Sequence, residues 1–303
     1  MNRPHVSVMM TRACEKGILI PAFNIAYLGM MKPVAKALEK TGAFGLAEVA
    51  RPDITKFGAV SYEAVVAAYE REANPEFVGL HLDHTPVIDE DGKRVDWAKL
   101  INQALALKFE SVMIDGSRLS LAENIAVTKQ VVEMSHPMAA VEAELGAVLG
   151  HEAGPLPPYE ELFRTRKGFT DPAEAKRFVQ ETGVDWLSVA IGNIHGAITG
   201  AAKDQAKVAA RLHIEHLSTL RKVTGVPLVL HGGSGIQRDS VLAGIRNGIA
   251  KINIGTEIRH AWEKTLAAGK PESAAADAVA AKVEELVTQV YNIGGSAKTL
   301  TQG

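Results

Sequence analysis

Eight short apolar runs, each followed by a longer stretch of helical periodicity, constrain the fold of this 303-residue chain more than any other feature. Most of the runs are apolar throughout rather than alternating, which is typical of parallel strands buried on both faces. Their spacing is close to the roughly 30 residues of two parallel strands joined by a helix. The predicted strands comprise residues 18–25, 43–49, 77–83, 111–115, 139–145, 186–192, 226–231 and 250–254.

Eight such units in about 250 residues predict an α/β protein, a single (β/α)8 TIM barrel. A doubly wound open sheet is the alternative, but no G-x-G-x-x-G motif follows the first strand. We expect residues 1–303 to form one barrel domain with a C-terminal helix at about 274–291. The other predicted helices comprise residues 31–40, 61–73, 97–107, 121–135, 172–182, 202–223, 238–247 and 257–268.

Composition excludes several classes of protein. The 33 Lys and Arg residues nearly balance 35 Asp and Glu residues, which argues against nucleic acid as the main partner. The single cysteine, Cys14, excludes an intramolecular disulfide and a cysteine-based zinc cluster. No apolar run reaches the roughly 18 residues of a membrane helix, and no signal peptide precedes the first strand, so we expect a cytoplasmic protein without a membrane partner.

Polar residues stand at the end of nearly every predicted strand. The carboxyl ends of barrel strands meet at one rim, where the active sites of such folds lie, and burying so many polar groups costs desolvation unless they are used or paired. We therefore predict that the functional site is built from Asn24, Glu48, Asp83, His84, Asp115, Glu142, Glu144, His195, His231 and Asn253.

Three of these rim residues are histidines: His84, His195 and His231. Three imidazoles with an open fourth position are typical of catalytic zinc, although such sites also take Co2+, Mn2+ or Fe2+. Asp83 adjoins a ligand histidine and is the predicted general acid/base, with orientation of a ligand as its alternative role. Two further rim carboxylates are Asp115 and Glu144. They either complete a second metal position or orient the histidines.

Glycine-rich stretches follow the seventh and eighth strands, where barrels often bind phosphate through backbone N–H groups and a helix N-terminus. A tight turn is the alternative interpretation of each glycine loop. Arg259 is a candidate for a bidentate phosphate contact or a solvated helix charge. The predicted phosphate-binding residues are Gly232, Gly233, Ser234, Gly255, Thr256 and Arg259.

A long stretch between the fifth strand and the next helix contains Glu152. A loop acid of this kind can close over a substrate and exchange a proton with carbon. An exposed loop charge is the alternative.

The same residues resemble the class II ketose-bisphosphate aldolase family, in order from about residue 17 to 298. The matching segments are Pro21-Ala22-Phe23-Asn24, His81-Leu82-Asp83-His84, residues 111–115, residues 141–146, residues 190–196, His231-Gly232-Gly233-Ser234-Gly235, Lys251-Ile252-Asn253-Ile254 and Gly295-Ser296-Ala297.

The resemblance implies Zn2+ on His84, His195 and His231, with a monovalent cation left open. It implies a secondary metal position at Asp115 and Glu144. The resemblance also implies that Asp83 is the acid/base acting on the C4 oxygen, that Glu152 transfers the carbon proton and that Asn24 contacts the substrate hydroxyls. The residues that would bind the phosphate of dihydroxyacetone phosphate are Gly196, Gly232, Ser234, Asn253 and Thr256.

The implied reaction is reversible cleavage of a ketose 1,6-bisphosphate of fructose or tagatose type, or of a related ketose 1-phosphate. The products would be dihydroxyacetone phosphate and an aldehyde. A homodimer or homotetramer is also implied. This chain has Glu48-Val49-Ala50 where fructose-bisphosphate members usually have Gln-x-Ser, and Gly255 where they often have Asp. It also has Ala153 after the loop glutamate and an unusual insert around 89–94, so the aldehyde half of the substrate stays open.

Three other classes of function deserve comparison. A Schiff-base aldolase needs an active lysine at the rim, and no predicted strand places one there. A barrel metallohydrolase typically has His-x-His at the end of the first strand, where this chain has Phe23-Asn24. A sugar-phosphate-binding protein without activity is opposed by the intact set of predicted ligands.

Overall fold

The computed structural model describes residues 3–146, 159–193, 210–233 and 236–302. Eight parallel strands close into a barrel in the order β1 to β8, each paired with its sequence neighbours and β1 paired with β8. The (β/α)8 prediction is therefore confirmed. The strands are β1 (Ile20–Asn24), β2 (Gly45–Val49), β3 (Val78–Pro86), β4 (Ser111–Asp115), β5 (Ala140–Leu145), β6 (Trp186–Val189), β7 (Leu228–Leu230) and β8 (Ile249–Ile254).

Helices follow the strands and form the outer layer. They are α1 (Val6–Lys16), α2 (Met31–Thr41), α3 (Arg51–Thr55), α4 (Tyr62–Glu72), α5 (Trp97–Ala106), α6 (Leu121–Ser135), α7 (Tyr159–Thr165), α8 (Pro172–Thr182), α9 (Ile214–Thr224), α10 (Arg238–Arg246), α11 (Thr256–Ala267), α12 (Glu272–Glu285) and α13 (Ser296–Gln302). A π-helical turn, Leu286–Val290, continues α12. None of these described helices has the length and apolar character needed to cross a membrane.

The helix predicted at 202–223 is confirmed from Ile214 onwards, but its predicted start is too early, because the described residues 210–213 are not helical. The side chain of His213 accepts a hydrogen bond from the His216 N–H and so caps the helix at that point. Ala210 instead forms a parallel bridge with Ile236. Residues 202–209 lie outside the described part of the chain.

The amino-terminal end of the barrel is closed by α1, which the strand pattern did not predict. Met9 and Met10 of this helix are fully buried against an apolar cluster inside the barrel. Arg12 on the same helix donates to the carbonyl oxygens of Leu300 and Thr301 at the end of α13. The lower barrel is therefore filled and capped by apolar side chains, so polar groups concentrate at the opposite end. The interior part of this cluster comprises Ile20, Ala22, Phe44, Leu46, Ala140, Trp186, Val229 and Ala250.

Candidate active site

Polar side chains of neighbouring strands meet above the apolar layers of the barrel. Asn24, Glu48 and His81 are in register across β1, β2 and β3, and therefore share the interior face. His81 lies beside Ser111 of β4, with its Nδ1 2.8 Å from the Ser111 Oγ. Burial is nearly complete at this level, since Glu48 and His81 are both 0% exposed. These groups can persist there only if they pair with one another or with a ligand.

His84 reaches the rim through an irregularity in β3. Along a regular strand Asp83 and His84 would face opposite sides. The register with β4 shifts between Leu82 and Thr85, and His84 has a φ of 28°, in the left-handed region. Irregularities of this kind redirect a side chain and often occur beside active sites. As a result, ligand atoms of Asp83, His84 and His231 all lie within 4.8 Å of one another.

His84 and His231 face each other with one ring nitrogen each. The His84 Nε2 and the His231 Nδ1 are 2.6 Å apart. The second nitrogen of each ring is near a carboxylate: His231 Nε2 is 2.7 Å from Glu142 Oε1, and His84 Nδ1 is 3.5 Å from Asp115 Oδ2. A histidine that ligates a metal characteristically donates its other ring N–H to such an acceptor, which fixes the tautomer. The donor set therefore fits a metal that the facing nitrogens of His84 and His231 would hold.

Asp115 and Glu144 lie beside His84, and one ligand atom of each of the three is within 4.8 Å of the others. The Asp115 Oδ1 accepts hydrogen bonds from the backbone N–H and the hydroxyl of Ser117. The buried Oε2 of Glu144 has no hydrogen-bond partner among the described residues. Burial, and next the Asp115 carboxylate, raise the pKa of Glu144 to about 8. A cation at this position would offset both effects, which is a second observation in favour of a metal.

Asp83 is held by two asparagine side chains. Its Oδ1 accepts from the Asn253 Nδ2 at 2.7 Å and its Oδ2 from the Asn24 Nδ2 at 3.0 Å. Burial by itself would raise the pKa of Asp83, but the positive groups around it, led by His84, outweigh burial and lower the pKa to about 2. The side chain is therefore an ionised carboxylate with both oxygens directed by neighbouring amides, the form that can accept a proton.

Below the rim lies Lys251, which the strand pattern did not single out. Its side chain is 0% exposed and its Nζ donates to Glu142 Oε2 at 2.9 Å and to Asn253 Oδ1 at 2.6 Å. Burial lowers the pKa of Lys251, but the carboxylates nearby, led by Glu142, raise it above its ordinary value. It is an ammonium rather than a nucleophilic amine, so the barrel contains a strand lysine but not the one that Schiff-base chemistry requires. The available signal was its position in an apolar strand, two residues before Asn253.

The structure describes most of the predicted phosphate-binding residues after β7 and β8. Gly232 and Gly233 follow β7; Gly232 has a φ of 67°, and a Cβ at Gly233 would lie 2.6 Å from the Ile252 Cγ2. Both positions therefore require glycine for backbone geometry or close packing. Gly255 precedes α11, which begins at Thr256, and a Cβ there would lie 3.0 Å from the Asn24 Oδ1.

Arg259 on α11 is already engaged. Its guanidinium donates to both carboxylate oxygens of Glu263 and stacks 4.6 Å from the centre of the Phe57 ring.

Four predicted site residues lie outside the described part of the chain, namely Glu152, His195, Gly196 and Ser234.

A parallel barrel with facing imidazoles and buried carboxylates at its carboxyl rim has a candidate metal site at the place where barrel enzymes have their active sites, which is typical of a barrel enzyme. A family model described as fructose-bisphosphate aldolase class-II matches residues 5–299, and the chain belongs to this family. It is therefore a class II aldolase, a carbon–carbon lyase. Class II aldolases are in general zinc-dependent, and the donor set at this rim is a candidate metal site.

Relatives support the same family. The chain is 37% identical over 261 residues to a 6-phospho-5-dehydro-2-deoxy-D-gluconate aldolase of Bacillus licheniformis, covering 85% of this chain and 80% of the relative. A crystal structure of the YdjI aldolase from Escherichia coli K12 is 28% identical, with a TM-score of 0.73 over 96% of this chain and 98% of that one. A fructose-bisphosphate aldolase structure from Campylobacter jejuni, 19% identical, shares the fold with a TM-score of 0.69 over 93% of each chain.

Proposed function

We propose that the protein is a zinc-dependent aldolase that reversibly cleaves a ketose phosphate into dihydroxyacetone phosphate and an aldehyde. The single observation that carries the proposal is the arrangement at the rim: the His84 and His231 nitrogens face each other at 2.6 Å, and Asp83 lies beside them. The proposed ligands are His84, His231 and His195, with Asp115 and Glu144 at a second position. Zinc at this place would supply Lewis-acid stabilisation for the negative charge that develops on the substrate oxygens.

The protein's own residues handle the proton. In cleavage, Asp83 takes the proton from the hydroxyl on the carbon that becomes the aldehyde, the carbon–carbon bond beside it breaks, and the electron pair passes to the ketone half. Asn253 and Asn24 hold the two oxygens of Asp83, so the carboxylate needs no reorganisation to accept the proton. We assign return of a proton to carbon to Glu152, and binding of the ketone half's phosphate to the Gly196, Gly232–Ser234 and Asn253–Thr256 segments.

The aldehyde half is the part of the substrate that distinguishes members of this class. The name of the Bacillus licheniformis relative describes a chain with a ketone next to a phosphate and a carboxylate at the far end. Cleavage of that compound gives the same dihydroxyacetone phosphate with an aldehyde that carries a carboxylate rather than a phosphate. In this chain, buried Glu48, small Ala50 and Gly255 beside Asn24 replace residues that are usual in fructose-bisphosphate members, so the substrate can differ from theirs. We therefore compare three compounds as substrates: fructose bisphosphate, tagatose bisphosphate and this sugar acid phosphate.

The test is a coupled assay of dihydroxyacetone phosphate release from the three substrates, using metal-free protein with and without added Zn2+. We expect zinc-dependent release from at least one of them, and kcat/KM to rank them. A His231→Ala variant should be inactive, whereas His136→Ala, before the start of β5, should keep its activity. Release that survives thorough removal of metal would contradict the proposal. We also expect a homodimer or homotetramer, which light scattering after size exclusion can measure.

A further inference from the structure

The buried Lys251 connects two pairs of rim residues, Glu142 with His231 and Asn253 with Asp83. Its Nζ lies among four polar groups inside the barrel: Glu142 Oε2 at 2.9 Å, Asn253 Oδ1 at 2.6 Å, His81 Nε2 at 3.3 Å and Glu48 Oε2 at 3.5 Å. Lys251 is fully buried, and so are the Glu142 and Glu48 side chains. An ammonium in this position is a hydrogen-bond donor in a fixed direction rather than a solvated charge.

One connection runs from Lys251 to the metal position. The Glu142 Oε2 accepts from the Lys251 Nζ and, at 2.7 Å, from the Trp186 indole N–H. These two donors orient the carboxylate, so its other oxygen, Oε1, meets the His231 Nε2 at 2.7 Å. His231 must then carry its proton on Nε2, which leaves the Nδ1 lone pair directed at His84.

The other connection runs from Lys251 to the proposed base. An asparagine amide has one accepting and one donating end, and reversing it exchanges the two. Because the Lys251 Nζ donates to the Asn253 Oδ1, the Nδ2 of Asn253 is directed at the Asp83 Oδ1, 2.7 Å away. The Asp83 carboxylate, which only accepts, favours the same orientation, so a neutral side chain at position 251 would remove one of the two contacts that select it.

We propose that Lys251 is a positioning residue that sets the tautomer of His231 through Glu142 and the amide orientation of Asn253 towards Asp83. The proposal rests on the proposed function for the roles of His231 and Asp83. One buried ammonium group would thus orient both a metal ligand, His231, and the residue that holds the base, Asn253.

The test compares three variants with the wild-type protein. Lys251→Met removes the ammonium and keeps the length of the side chain. Lys251→Met/Glu142→Gln keeps the charges balanced. The single Gln oxygen can accept from the His231 Nε2 when its NH2 turns towards the Trp186 indole, whereas the Asn253 connection stays lost. Arg3→Met is the matched control, because it breaks a buried pair with Glu110 at the opposite end of the barrel. If Lys251→Met does not fold, the balanced double variant carries the test.

Three readouts are needed. Competition with a chromogenic chelator gives the Zn2+ dissociation constant of each metal-free protein. NMR of 15N-labelled histidine in the metal-free protein gives the His231 tautomer, assigned by difference from His231→Ala. Release of dihydroxyacetone phosphate at saturating Zn2+ gives kcat and KM separately, with a pH profile.

For Lys251→Met we expect the Zn2+ dissociation constant to rise by about 10- to 100-fold, which is typical when a group that orients a metal ligand is removed. We also expect His231 to populate both tautomers. We expect kcat to fall by a similar factor while KM stays nearly constant. The double variant should recover part of the zinc affinity, because the charges are balanced again, but not kcat. Arg3→Met should change none of the three readouts.

The inference is wrong if the double variant recovers kcat, because Lys251 would then be only a counter-charge for Glu142. It is also wrong if Lys251→Met leaves the His231 tautomer and kcat unchanged. Failure of the proposed function looks different: the wild-type protein itself would neither bind Zn2+ nor release dihydroxyacetone phosphate. The tautomer measured on metal-free protein would still test the connection through Glu142.

Discussion

The facing ring nitrogens of His84 and His231 lie 2.6 Å apart at the carboxyl rim of the barrel, and each ring has a carboxylate near its other nitrogen. Burial lowers the pKa of His84, but the carboxylates around it, led by Asp83, outweigh burial and raise it to about 10. The surroundings of His84 therefore favour positive charge, which a divalent cation can also supply.

Zinc should stabilise the folded protein. A ligand that binds only the folded state adds about 4 kcal/mol at a thousandfold excess over its dissociation constant. We expect metal-free protein to melt at a higher temperature when Zn2+ is added, as measured by differential scanning calorimetry. His231→Ala should lose this increase. His136→Ala, which removes a half-exposed histidine far from the rim, should keep it, and an equal increase in all three proteins would indicate nonspecific binding.

Replacing the proposed base should separate catalysis from binding. Asp83→Asn keeps the size of the side chain but removes its ability to take a proton. We expect kcat to fall by about 10²- to 10⁴-fold with KM changed only a few-fold, in the assay of dihydroxyacetone phosphate release. Asp239→Asn on the exposed start of α10 is the control and should behave as wild type. A large rise in KM at constant kcat would instead make Asp83 a binding residue.

The pair of Arg3 and Glu110 should stabilise the closed end of the barrel. The Arg3 guanidinium donates to both Glu110 oxygens at 2.6 Å, and the two side chains are 2% and 10% exposed. Removing one partner of a buried pair leaves the other charge uncompensated, at a cost of about 3 to 5 kcal/mol. We expect Arg3→Met to lower the free energy of unfolding by about 3 kcal/mol in urea denaturation.

The double variant Arg3→Met/Glu110→Gln should recover much of this loss, because no unpaired charge remains. Both proteins should retain wild-type kcat, since the pair lies at the end opposite to the rim. A double variant as unstable as Arg3→Met would mean that packing of the arginine stem, rather than charge, stabilises this end.

Asp53 on α3 should make stability depend on pH. Its carboxylate accepts from the Ala50 N–H at 2.8 Å, but burial, with the Asp83 carboxylate, raises the pKa to about 7 from 3.8. The folded state therefore binds the proton more tightly than the unfolded state, so this group's contribution is complete below pH 3.8 and is lost as the pH rises to about 7.

The measurement is the free energy of unfolding of wild-type protein and Asp53→Asn between pH 4 and pH 8. A pKa difference of one unit between the folded and unfolded states corresponds to about 1.4 kcal/mol. From pH 4 to pH 8 we therefore expect the free energy of unfolding of the variant to rise relative to that of wild type by on the order of 2 to 4 kcal/mol. Asn retains an oxygen for the Ala50 N–H, and Asp239→Asn serves again as the exposed control. Parallel curves for wild type and Asp53→Asn would show that Asp53 ionises normally.

Much of this architecture is predictable because its signals are local. Apolar runs without alternation identify all eight strands, since a parallel strand covered on both faces must be apolar along its length. Topology then brings polar residues at the strand ends to one rim, and so His84, Asp115, Glu144 and His231 are found together. Strand ends were less predictable: β6 stops at Val189 and β7 at Leu230, because pairing with neighbours rather than composition ends a strand.

The sequence by itself determined the barrel, its direction and the described residues that meet at its rim, because hydrophobic periodicity and chain order are sufficient for these. Only the tertiary structure decided how the rim residues are oriented. The irregular step in β3 that directs both Asp83 and His84 inward, and the contacts of Lys251 with Glu142 and Asn253, depend on strand register and on which side chains share a buried layer. The contacts of Lys251 with Glu142 and of Asn253 with Asp83 join residues more than 100 positions apart, and no local pattern encodes them.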